Sequence, residues 1–186
     1  TKPKIYIMTT AALQKNYKSQ LKFCGSSLFN EDENWKYINY PIDQDKRKKF
    51  IKIAHSITKL PIDYLNSKNG VFLIEKEPSI DDENDFMTIE RVEELREQID
   101  KMIESRFEFI SYNGITMNKW RKKYKKKEDV NPFDNSVVVI DEGHNFVSRI
   151  VNKLNKKQHS ISTELYVHLT TAENCRVVVL SGTPLI

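Results

Sequence analysis

The 186-residue chain has only two cysteines, Cys24 and Cys175, and neither belongs to a C-x-x-C pair or has a histidine at ligand spacing. That excludes a disulfide framework and a zinc ribbon, and it favours a reducing compartment. Glycine is scarce too: Gly25, Gly70, Gly114, Gly143 and Gly182 are all there are, and none is followed by lysine. Uncharged apolar runs extend over a handful of residues, too few for a transmembrane helix. Nothing near Thr1 reads as a secretory leader. Internal repeats and low-complexity linkers are absent as well. What is present suits a globular chain, with 39% hydrophobic and 30% charged residues. A chain of this length can bury roughly 70% of its unfolded surface, so it can hold a core.

The net charge of +4 hides an asymmetry. Residues 75–100 carry eleven acids against three bases, a local net of −8, which leaves +12 for the rest. Such an excess favours a polyanionic partner, although a solvated lysine-rich surface is its commoner cause.

Hydrophobic spacing predicts alternating strands and helices. A strand over Lys4–Met8 runs into a helix with Leu13, Tyr17 and Leu21 on one face. Trp35–Ile42 and Val71–Ile74 read as short strands. Between them a helix from about Asp45 to Leu60 is expected to turn Phe50, Ile53, Ile57 and Leu60 inward, with Pro61 ending it. An acidic insertion over 75–105 begins as a loop and becomes a helix carrying Ile89, Val92, Ile99, Met102 and Ile103 on one stripe. Phe107–Tyr112 alternates as a strand that ends at Asn113-Gly114. After a basic helix or loop, Asn118–Lys127, come a strand over Val137–Ile140, helices over Asn145–Leu154 and Ser162–Ala172, and a strand over Val177–Leu180. This is the pattern of an α/β layer with a mostly parallel sheet. The last two strands are apolar on both faces and are expected at its centre.

Both of those strands end in chemistry. The first delivers Asp141-Glu142-Gly143-His144 and the second Ser181-Gly182-Thr183-Pro184. In an open parallel sheet, ligands bind outside the carboxyl ends of the strands. A buried strand that hands a carboxylate to that edge can hold magnesium, which accepts oxygen ligands and keeps several waters. A second carboxylate one residue on can take a proton from an attacking water. Read separately, Asp141 also makes a helix N-cap, and Ser181–Pro184 also makes a turn. Lys119–Lys127 is a basic run interleaved with Trp120 and Tyr124. It is suited either to phosphates and stacked bases, or to a solvated surface that answers the acidic segment.

Asp141-Glu142-Gly143-His144 resembles motif II, the D-E-x-H box, of superfamily 2 helicases and translocases. Ser181-Gly182-Thr183-Pro184 resembles their motif III, in the form seen in Swi/Snf-type remodellers and in helicases of large DNA viruses. Ile5–Leu13 resembles motif Ia, and Phe107–Gly114 a strand-and-loop element of the viral branch. Gly143 departs from the alanine of the DEAH branch. The Gly-Lys-Ser/Thr phosphate loop is not in this chain.

The resemblance implies a RecA-like sheet over residues 1–186, partial, with the phosphate loop and a second RecA-like domain in the remainder of a longer polypeptide. It implies ATP and Mg2+ as cofactors, with Asp141 holding the metal, Glu142 activating water, and His144, Ser181 and Thr183 relaying nucleotide state. It also implies DNA or RNA as partner, contacted by Thr9, Thr10, Tyr112, Asn113 and Gly114, while Trp120, Lys122 and Lys123 of the basic run add to that path. An intracellular setting, a viral factory or virion, and no membrane follow from the same likeness. Taken alone, the chain is expected not to hydrolyse ATP. The alternative is a catalytically incomplete ATPase-like domain serving as scaffold or nucleic-acid clamp in a viral transcription or packaging assembly.

Overall fold

The computed structural model describes residues 4–75, 87–124, 130–155 and 160–183. The chain divides into two compact units, one formed by Thr1–Asn16 with Phe107–Ile186 and the other by Tyr17–Arg106. The helix α1 (Ala11–Cys24) begins in the first and ends in the second.

The first unit is an α/β layer. Its strands β1 (Lys4–Thr9), β4 (Phe107–Ser111), β5 (Ser136–Ile140) and β6 (Arg176–Val179) form one parallel sheet in the order β4-β1-β5-β6. Three helices belong to it: α5 (Met117–Tyr124), α6 (Gly143–Asn155) and α7 (Ile161–Thr171). Ser160 caps α7 by accepting from the Thr163 amide, and the Thr163 hydroxyl accepts from the Ser160 amide in return. Such a reciprocal cap satisfies two otherwise orphaned donors. The core gathers Met8, Tyr112, Trp120, Phe133, Val138 and Phe146.

Between α6, α7 and the sheet runs a trough of about 490 Å³, lined by Phe146, Ile150, Leu154, Leu169 and Val177 among others. It lies beside β6, which departs from expectation. Among the described strands β6 has a neighbour on one side only, and Val177, Val178 and Val179 are 43%, 45% and 48% exposed. The reason is topological. The remaining two strands pair with each other and build a sheet of their own, so β6 is the last rung of the parallel ladder.

That second sheet belongs to the second unit. It pairs β2 (Trp35–Asn39) antiparallel to β3 (Gly70–Ile74). Buried Gln98, on α4 (Ile89–Arg106), closes the free side of β3: its amide donates to the Phe72 carbonyl and accepts from the Phe72 amide, both at 2.9 Å. A side-chain amide thereby substitutes for a strand at a sheet edge.

Helix α2 (Gln44–Thr58) starts where Asp43 accepts from the Lys46 amide at 2.8 Å, and it stops at Lys59, which adopts a left-handed conformation. Its inward face differs from the predicted one. Ile51, Ala54 and Thr58 are buried, while Ile53 and Ile57 are 56% and 45% exposed. One residue of phase turns a helix by about 100°, and four apolar residues close together fit either setting. A short helix not foreseen, α3 (Ile62–Asn66), follows Pro61.

In α4 the inward stripe is Leu95, Gln98, Ile99, Met102 and Ile103, with Ile89 exposed at the amino end. The loop-like part of the acidic insertion, residues 76–86, lies outside the described residues, as do Lys125–Lys127, His159 and Pro184.

Candidate active site

Three backbone bonds fix the turn that leaves β5. The Asp141 amide donates to the Met8 carbonyl, and the Gly143 amide donates to the Leu180 carbonyl, both at 2.9 Å. The Asn145 amide donates to the Glu142 carbonyl, also at 2.9 Å, and opens α6. Between the first two of these, Glu142 is driven to φ 51. This left-handed region costs a residue with a Cβ about 1 kcal/mol or more. Such strain persists only where the surroundings over-determine it, and here the strands on both sides do so.

Gly143 is required by space, not by φ. A Cβ on it would lie 2.2 Å from Cγ1 of Val179. The departure from alanine therefore has a local cause: the first turn of α6 passes directly against β6.

The Asp141 carboxylate is not the cap of α6. Its Oδ2 accepts from the Thr9 hydroxyl at 3.1 Å, across the end of the neighbouring strand. The Tyr112 hydroxyl donates to the Asp141 main-chain carbonyl at 3.2 Å. Burial, and then the Asp141 charge, raise that phenol above its ordinary pKa, so it stays a donor at neutral pH.

Beside this pair lies His144. Its Nδ1 is 2.9 Å from Ser181 Oγ and 3.3 Å from Glu142 Oε2. The Ser181 hydroxyl donates to the Thr183 carbonyl at 2.7 Å and accepts from the Thr183 amide at 3.2 Å. With the serine proton thus committed, His144 Nδ1 is the donor. Serine and glutamate meet the same ring nitrogen. A nucleophile-base-orienter relay needs them on opposite nitrogens, so this is not a hydrolase triad.

No known protein family, curated protein or solved structure compared with the chain matches it.

Magnesium fits the donor set, and a caged transition metal does not. Among the described residues there is no group of three or more His, Cys, Asp and Glu able to hold a metal ion. One half-buried carboxylate at a strand end, braced by a hydroxyl, suits an ion that completes its shell with waters and phosphate oxygens. The trough beside β6 offers only Thr170 and Tyr166 as polar side chains. It carries no reacting groups among its lining residues.

The residues expected to meet nucleic acid separate into two sets. Thr10, Asn113, Gly114 and Lys122 lie at the surface or partly so. Three others require correction. Thr9 is fully buried and spends its hydroxyl on Asp141. Tyr112 is buried under the same residue. Trp120 is fully buried, with Tyr124, Phe133 and His168 around its ring at centroid distances of 4.2, 5.9 and 5.7 Å. An indole so enclosed cannot stack on a base.

The basic run is also answered locally. Lys123 Nζ lies 2.7 Å from Glu108, to which the Tyr124 hydroxyl also donates, and Arg121 lies 3.8 Å from Glu164. The signal for this arrangement was in the sequence. Trp120 and Tyr124 are four apart, the spacing of one buried helix face.

Proposed function

We propose that this chain is part of an ATP-dependent nucleic-acid helicase or translocase, built on a RecA-like sheet. One observation carries the reading: the Asp141-Glu142 pair leaves the carboxyl end of β5 and is linked through His144 to Ser181, at the end of β6. The strand order supports it, because β5 and β6 are neighbours and present both polar ends at one edge.

In this reading Asp141 holds magnesium, oriented by Thr9. The ion, when bound, supplies positive charge to the phosphates of ATP. Glu142 accepts a proton from the attacking water, and its carboxylate lies 3.3 Å from His144 Nδ1. His144 donates to Glu142 and to Ser181 alike, so a change at the carboxylate is felt at the end of β6. Thr183 shares the Ser181 network. Thr10, Asn113, Gly114 and Lys122 remain the contacts to a sugar-phosphate backbone, and Lys123 joins them only by leaving Glu108.

The test uses the full-length polypeptide that carries this chain. Glu142→Gln is expected to keep ATP binding nearly intact while turnover falls, with the loss in kcat and not in KM, because an amide keeps the shape but accepts no proton. Turnover at the wild-type rate would remove the catalytic reading and leave the scaffold or clamp.

A further inference from the structure

We infer that the outward face of α2 is a docking surface for a nucleic-acid phosphate backbone. The inference rests on the reading of the chain as acting on nucleic acid, and it places the contact in a second region. Residues 44–59 contain six basic residues, Lys46, Arg47, Lys48, Lys49, Lys52 and Lys59, against the single acid Asp45. Arg47 is used internally, donating to the Asn66 and Lys68 carbonyls and covering the Tyr40 ring. Lys59 donates to the Ser56 carbonyl. Lys46, Lys48, Lys49 and Lys52 remain, all exposed: Lys49 and Lys52 lie opposite buried Ile51, Ala54 and Thr58, with Lys46 and Lys48 on the two flanks.

Where the acids of the same unit go decides what this face is for. Among the described residues, Glu31 is paired with Lys22 and Arg96, Glu75 with Lys36, and Glu97 with Lys68. Asp100 is paired with Lys22, Glu94 with Arg91, and Glu104 with Lys18 and Lys101. None of these carboxylates reaches α2. Among the described residues, the carboxylates near its lysines are Asp43, which accepts from the Lys46 amide at the cap, and Asp45, 3.9 Å from Lys48 and itself almost fully exposed. Among the described residues, the paired acids of the unit are answered by bases outside α2, and its four lysines face solvent.

The four span six residues, a rise of about 9 Å. Duplex DNA carries a charge every ~1.7 Å of axis, so that length faces several phosphates. Gln44 lies beside Lys48, and the exposed basic groups of the face are ammonium groups. Lysine ammonium groups act as point charges, so the contact is sequence-independent. An anionic membrane is the weaker match. The apolar stripe of α2 is spent on the interior of the unit, and only Ile53 and Ile57 border the lysines.

The experiment measures binding of the 186-residue chain to a fluorescent 20-nucleotide oligothymidylate by anisotropy across a salt series. Lys46, Lys48, Lys49 and Lys52 are changed together to Gln, and separately together to Arg. With about 0.7 counterions released per phosphate on a single strand, the Gln variant is expected to lose about 3 units of the slope of log K against log salt. Referred to 1 M salt, that is a weakening of about three orders of magnitude at 0.1 M. The Arg variant keeps both affinity and slope, and the melting temperature of each variant stays close to wild type.

Equal binding by wild type and the Gln variant overturns the assignment, as does absence of binding by the wild type. Loss of binding to phosphatidylserine vesicles with the oligonucleotide unaffected overturns it in favour of a lipid surface. None of these outcomes touches the Glu142 test, which reads hydrolysis at the other unit.

Discussion

The two units differ in how they hold charge. In the first, two acidic groups accept from hydroxyls, Glu108 from Tyr124 and Asp141 from Thr9, and Glu108 is paired with Lys123 besides. In the second, acids stay at the surface and are answered by lysine and arginine in pairs that share partners, as Glu31 shares Lys22 and Arg96. Held groups have fixed positions, which is what a reacting site needs. Paired surface groups are worth little individually and are easily exchanged, which suits a region whose role is to present a field. Under the proposed function, the contrast goes with chemistry in one unit and electrostatic docking in the other.

The strongest way to break that contrast is to open the first unit's interior. Trp120→Ala removes the largest fully buried side chain. It is expected to cost about 3–5 kcal/mol, by lost burial and the cavity left behind. Urea unfolding followed by circular dichroism measures it. A cost under 1 kcal/mol would mean that the indole is not enclosed, and would restore it as a stacking platform.

A smaller effect is expected at the turn. Gly143→Ala places a methyl against Val179 and should destabilise by about 1–3 kcal/mol. Val179→Ala in the same chain should recover part of that loss, since it removes the atom that clashes. A double mutant no better than the single would move the strain away from β6.

The smallest effect belongs to the second unit and depends on pH. Burial alone would raise the Glu31 carboxyl, but hydrogen bonds from Arg96 and Lys22 overcome it and hold the group below its ordinary range. The Lys101 hydrogen bond does the same for Glu104, with Lys18 adding to it against partial burial. A carboxyl depressed on folding adds stability above its unfolded pKa, about 4.3, and that contribution is lost as pH falls through the folded value. Glu31→Gln should therefore be slightly less stable than wild type at pH 7, and the two should converge in acid. A difference that grows as pH falls would reverse the sign and refute the pairing.

Much of the first unit is legible in its residues. Three apolar strands and the polar ends of β5 and β6 announce a parallel sheet with its chemistry at one edge, because burial on both faces leaves little alternative to continuous Val and Ile. Local sequence does not carry the long-range partners. Nothing near Thr9 says that its hydroxyl meets a carboxylate 132 residues away, and a strand-end threonine reads equally well as a ligand contact. The phase of α2 was ambiguous for a related reason. Phe50, Ile51, Ile53, Ala54 and Ile57 offer two overlapping stripes, and only the opposing β3 and α3 select one. The place of β6 at the end of the described ladder is likewise not recorded in its own residues, which are as apolar as those of β5.

The absent methyl of Gly143 has a mechanical meaning as well. With Val179 seated against the first turn of α6, and the Gly143 amide bonded to Leu180, the two strand ends meet with no compressible side chain between them. A displacement of β6 along its axis is therefore expected to reach the Glu142 turn through these two contacts, and a bulkier residue at 143 would hold the strand ends apart.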